Sequence, residues 1–153
     1  MDYVNLGQTN LIVSKVCLGT MTFGDQNTQE DANSQLDYAL SQGINFIDTA
    51  EMYPVPPKAE TFTRTETMIG RWLKNQVRDK IVLGSKVSGR NRGLNYIRGG
   101  DDSLTKANIR NAIHDSLKRL QTDYIDLYQL HWPERNVPLF GQYQFDPKLE
   151  FDV

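Results

Sequence analysis

Short, continuous apolar runs alternate along this chain with longer stretches whose apolar residues recur at one-face helical spacing. The runs cover residues 16–18, 43–47, 81–87 and 124–130, and each has the β-branched and aromatic composition of a buried strand. Ahead of Ala32, Leu36, Ala39 and Leu40, Thr28 and Asp31 have the spacing of a capping box, and Gly43 supplies the C-terminal stop of this first helix. Thr63 and Glu66 repeat that spacing ahead of Ile69, Trp72 and Leu73, which predicts a second helix of about a dozen residues. Ile109, Ala112, Ile113, Leu117 and Leu120 outline the apolar stripe of a third. At the start, residues 2–6 and 11–13 flank Gly7-Gln8-Thr9-Asn10, a natural turn, and predict a small β-hairpin. Pro54-Val55-Pro56-Pro57 and the polar, glycine-rich residues 90–102 are loops.

Strand, helix, strand, helix, strand, helix, strand is the order that builds a parallel sheet through right-handed crossovers. Four such strands are about half of a (β/α)8 barrel, which typically needs about 250 residues. The expected fold is therefore α/β, the N-terminal half of a (β/α)8 barrel preceded by a β-hairpin. Residues 134–153 read as a polar and aromatic loop that reaches Val153 without a capping or stop signal. The expectation is a partial domain over residues 1–153, cut after the fourth barrel strand.

In parallel α/β folds chemistry collects at the carboxyl ends of the strands. Here those ends present Gly19-Thr20-Met21, then Asp48 with Tyr53 in the loop beyond, then Lys86, then His131. Taken alone, a strand-terminal aspartate such as Asp48 also serves as the cap of the following turn. Lys86 interrupts a buried run, so it calls for an anion nearby. An acid, a phenol, a lysine and a histidine at successive strand ends point to one reactive mouth. A phenol of ordinary pKa about 10 becomes a useful proton donor near neutral pH beside an ammonium that an aspartate holds in place. His114 lies next to the third stripe without partner spacing around it and reads as a helix-surface residue.

Composition narrows the picture by exclusion. Seventeen basic and 19 acidic side chains give a formal net charge of −2, which offers no electrostatic reason to expect nucleic acid or an anionic membrane as partner. Cys17 is the single cysteine, so no intrachain disulfide forms and a reducing compartment, the cytoplasm, is expected. Neither a signal-peptide run nor a bilayer-spanning stretch is present. His114 and His131 fall on different elements without cysteine or carboxylate at ligand spacing, so no metal site is expected. The glycines at 19 and 24 do not form GxGxxG, and no Rossmann-type dinucleotide fingerprint is present.

The long motifs Gly43-Ile-Asn-Phe-Ile-Asp48-Thr-Ala-Glu-Met-Tyr53, Thr65-Glu-Thr-Met-Ile-Gly70, Ser85-Lys86 and the run from Ser116 to His131-Trp132-Pro133 resemble the aldo-keto reductases. The Glu51-Met52-Tyr53-Pro54 run and its proline-rich insert resemble, more narrowly, the bacterial Tas-type NADP(H)-dependent members. The resemblance implies a barrel that binds NADPH and reduces an aldehyde or ketone to an alcohol. It makes Tyr53 the general acid, Lys86 the residue that lowers the pKa of that acid, Asp48 the partner of the lysine and His131 the residue that orients the carbonyl. Gly19, Thr20, Met21 and Asp48 then lie on the cofactor side near the nicotinamide ribose, and Trp132 lies on the substrate side. The remaining cofactor contacts would come from the other half of the barrel, so the isolated chain is expected to be inactive. The same resemblance allows a second class, a regulatory or scaffolding member like the channel β-subunits.

Overall fold

A computed structural model describes residues 1–90, 93–133 and 148. β1 (Tyr3–Asn5) and β2 (Ile12–Ser14) pair antiparallel, with Tyr3 opposite Ser14, as the hairpin pattern predicts. β3 (Cys17–Gly19), β4 (Phe46–Asp48), β5 (Val82–Val87) and β6 (Leu127–Leu130) then form one parallel sheet in sequence order. α1 (Gln29–Ser41), α2 (Arg64–Leu73) and α3 (Lys106–Leu120) supply the three crossovers.

The first helix starts and stops as its sequence dictates. Thr28 Oγ1 accepts the Asp31 N–H at 3.2 Å, and Asp31 Oδ2 accepts the Thr28 N–H at 2.9 Å, so two orphan donors are satisfied reciprocally. At the other end Gly43 adopts φ +82°. Its N–H donates to the Leu40 carbonyl and the Ile44 N–H to the Ala39 carbonyl, each at 2.9 Å, a paired closure that turns the chain directly into β4.

The second expected capping box does not form. Thr63 takes a left-handed conformation (φ +68°), and its side chain caps nothing. Glu66 is fully buried instead, accepting Ser85 Oγ–H at 2.6 Å and Arg119 Nε–H at 2.7 Å. A guanidinium in a dry layer is a stronger partner for a carboxylate than a solvated backbone N–H, so the tertiary contact wins. The helix is ten residues long and still begins directly after Thr63.

Register assigns the two faces of the sheet. Leu18, Ile47 and Leu83 share a row facing the helices, where they meet Leu36, Ile69, Leu73 and Leu120 in the main core. Each fully buried aliphatic side chain there contributes about 1.5–3 kcal/mol. Gly19, Asp48, Gly84 and Leu127 share the alternate row, and Lys86 and Gln129 lie two residues further along the same face. A second apolar cluster, Ala50, Met52, Tyr53, Ile97 and Trp132, comes from segments that follow β4, β5 and β6 and packs with Phe62 and Tyr96. His114 is exposed on α3, in keeping with its sequence reading. The expected loop over residues 134–153 lies, apart from Lys148, outside the described residues.

Candidate active site

Backbone hydrogen bonds continue from strand to strand beyond the ends of the sheet and lock the loops in order. Thr20 donates its N–H (3.1 Å) and its Oγ1–H (2.8 Å) to the Asp48 carbonyl. The Thr49 N–H reaches the Gly84 carbonyl at 2.9 Å, the Glu51 N–H the Lys86 carbonyl at 3.0 Å, and the His131 N–H the Val87 carbonyl at 3.0 Å. Val55 closes the set by donating to the Met21 carbonyl at 2.8 Å, which ties the loop of Tyr53 to the loop after β3. The four strand ends are thus one rigid rim.

On that rim the expected residues meet. Lys86 Nζ donates to Asp48 Oδ2 at 2.6 Å and to the Thr49 carbonyl at 2.8 Å, so the interior cation has the anion its position demands. Both side chains are largely shielded, 13% and 28% exposed, which strengthens their attraction over that of a surface pair. The same ammonium lies 5.1 Å from the centroid of the Tyr53 ring. The His131 ring meets Tyr53 edge-on, with centroids 5.5 Å apart and planes at 79°. Tyr53 therefore has both an ammonium and an imidazole beside its ring.

The fold sets the charge of that imidazole. Burial, reinforced by the positive charge of Lys86, pushes the His131 pKa down to about 4, so the ring is neutral at neutral pH. Its Nδ1 is buried and has no hydrogen-bond partner among the described residues. Trp132 backs the ring at a centroid distance of 4.7 Å, donates its indole N–H to the Arg90 carbonyl at 3.0 Å and is itself buried. Cys17 shares the inward face with Phe46. Partial desolvation and the Asp48 charge push the thiol of this exposed residue up to about 11.

Of the residues expected on the cofactor side, Gly19 borders open space, since nothing lies within 4 Å of where a Cβ would stand, and Met21 is exposed. Thr20 is fully buried with its hydroxyl committed to the Asp48 carbonyl, so it shapes the rim from behind. Among the described residues no group of three His, Cys, Asp or Glu side chains could hold a metal ion. No helix of the described chain is long and apolar enough to cross a membrane.

Sequence reasoning missed two buried ion pairs, one beside this site and one in the layer between the sheet and its helices. Glu51 pairs with Arg98 at 2.6 Å and Glu66 with Arg119 at 2.7 Å. The partners are 47 and 53 residues apart, so no local spacing marks them.

Residues 15–149 match the model of the aldo/keto reductase family. This chain belongs to the aldo/keto reductase family. It is similar to Protein tas of Escherichia coli strain K12, with 55% identity over 143 residues that make up 93% of this chain and 41% of that protein. It is also 44% identical over 144 residues to the uncharacterized oxidoreductase YrpG of Bacillus subtilis, covering 90% of this chain and 42% of that one. Among solved structures, an aldo-keto reductase from Bacillus halodurans in its holo form superposes with a TM-score of 0.67 at 37% identity, over 85% of this chain and 40% of that one. The chain spans about two fifths of the length of the curated relatives it matches. The parallel sheet β3-β4-β5-β6 is the first half of the aldo-keto reductase (β/α)8 barrel.

Proposed function

We propose that this chain carries the proton-donating half of an NADPH-dependent reductase that converts an aldehyde or ketone to its alcohol, with Tyr53 as general acid. The observation that supports this reading is the proximity of the Tyr53 ring to both the Lys86 ammonium, 5.1 Å away, and the neutral His131, 5.5 Å away. NADPH, when bound, supplies the hydride that reaches the carbonyl carbon. Gly19, Met21 and Asp48 would border it, and the open space beside Gly19 fits a ligand that approaches the backbone closely.

The residues of the chain account for the other half of the reduction. Tyr53 gives its hydroxyl proton to the carbonyl oxygen as negative charge develops there, so one hydride and one proton make the alcohol. Lys86 stabilises the phenolate left on Tyr53, and Asp48 with the Thr49 carbonyl fixes the ammonium so that it need not reorganise during the reaction. A neutral imidazole has one N–H to offer the carbonyl oxygen without competing for the proton that Tyr53 delivers.

The test is Tyr53→Phe in the full-length protein, which removes one oxygen and keeps the ring packing. Steady-state reduction of an activated aldehyde should slow by about 10² to 10⁴, roughly 3 to 5 kcal/mol of barrier, while NADPH affinity by fluorescence quenching stays nearly unchanged. Near-normal turnover in that variant would remove Tyr53 from the mechanism.

A further inference from the structure

We infer that Glu51 and Arg98 form a positioning clamp that holds Tyr53 in register with Lys86; the inference rests on the reading of Tyr53 as the proton donor. Glu51 lies three residues after Asp48 and two before Tyr53, on the segment that must bring the phenol to the ammonium. Its backbone N–H donates to the Lys86 carbonyl at 3.0 Å, and its carboxylate accepts the Ser88 N–H at 2.9 Å. One residue thus grips β5 on both sides of Val87.

Arg98 closes the grip from the β5–α3 loop. Its Nη1 donates to both Glu51 oxygens, at 2.7 and 2.6 Å, and its Nη2 donates to the Ser88 carbonyl at 2.7 Å. Glu51, Ser88 and Arg98 therefore form a closed ring of charge-assisted bonds, with side-chain exposures of only 10% for the arginine and 3% for the glutamate. The backbone records the demand on this loop. Arg98 sits at φ +46°, ψ +35°, a left-handed conformation uncommon for a residue with a Cβ, and Gly99 and Gly100 continue it at φ +69° and +95°.

A buried ion pair contributes little net stability over an apolar pair of the same shape, because desolvation offsets the attraction. Geometry is what it supplies. The ring prevents the Tyr53 segment from sliding along β5, so the distance between phenol and ammonium is fixed before substrate arrives. A displacement of about 1 Å in a reacting group can cost about 10²-fold in rate, whereas substrate binding elsewhere in the cleft tolerates it.

The experiment uses the full-length protein and four substitutions. Arg98→Met should lower kcat about 10- to 100-fold with the carbonyl KM and the NADPH Kd within about twofold. Arg98→Lys should recover only part of that, because a point charge cannot serve Glu51 and Ser88 together as the guanidinium fork does. Since Arg98→Met leaves the Glu51 charge buried and unpaired, Glu51→Gln with Arg98→Met removes both charges; it should restore thermal stability toward that of the parent while leaving kcat low. Arg98→Met added to Tyr53→Phe should cost almost nothing further, because the clamp acts through the phenol. A folded Glu51→Gln, Arg98→Met variant with parental kcat overturns the clamp, as does an undiminished loss in the Tyr53→Phe background. Failure of the proton-donor reading shows up separately, as a silent Tyr53→Phe.

Discussion

His131 is the group at the rim whose charge the fold fixes most firmly. With its folded pKa pushed down from 6.5 to about 4, the folded chain binds fewer protons than the unfolded chain between those pH values. The associated stability is fully present above pH 6.5 and is lost as pH falls toward 4. Its size is about 2 kcal/mol once the remaining solvent contact of the ring is discounted. Urea unfolding at a series of pH values should show this slope, and His131→Gln should flatten it. Ring resonances followed by NMR give the direct check, with His131 expected to stay neutral down to about pH 5. A titration midpoint near 6.5 would mean that the ring is solvated in solution and would weaken the case for a neutral hydrogen-bond donor beside Tyr53.

At the level of elements, the approach of α2 to α3 carries a sharp requirement at Gly70. A Cβ built there would stand 2.0 Å from the Arg119 carbonyl oxygen and 2.9 Å from the Leu120 Cα, both backbone atoms that no rotamer change can move. Helix propensity alone favours Gly70→Ala by about 1 kcal/mol. Overpacking against backbone costs about 1–3 kcal/mol or more, and here the contact also shifts the helix end that carries Arg119 toward Glu66. Gly70→Ala should therefore lower the urea midpoint, and a raised midpoint would show that the two helices part easily. The same region shows where local sequence patterns fail. Thr28 with Asp31 and Thr63 with Glu66 share one spacing, yet only the first pair caps a helix, because Arg119 and Ser85 claim Glu66. Asp48, Lys86 and His131 were legible because each interrupts or ends an apolar run, a one-dimensional signal. Glu51 and Arg98 were not, because a carboxylate in a polar run and an arginine in a glycine-rich loop look solvated until folding brings them together across 47 positions.

For the whole molecule, strand order and parallel direction followed from the alternation of runs and stripes, and so did two unpaired outer borders, since four strands are only half of a closed barrel. β3 pairs only with β4, and β6 only with β5, among the described residues. The N–H and C=O groups on the far sides of those two strands are templates for another chain. Apolar side chains stand beside both borders: Val16, just before β3, is 50% exposed, and Leu130, at the end of β6, is 57% exposed. No proline interrupts either strand, and neither contains a charged residue. These are the devices by which proteins blunt an exposed border. The polypeptide of residues 1–153 expressed alone should therefore self-associate at micromolar concentration, with a sedimentation coefficient that rises with concentration. Val16→Lys with Leu130→Lys places a charge at each border, at side chains that are already half or more exposed, and should shift the population toward monomer without unfolding the sheet. A parent chain that sediments as a monomer across that range would mean that both borders are already covered, and the double variant would then have nothing to relieve.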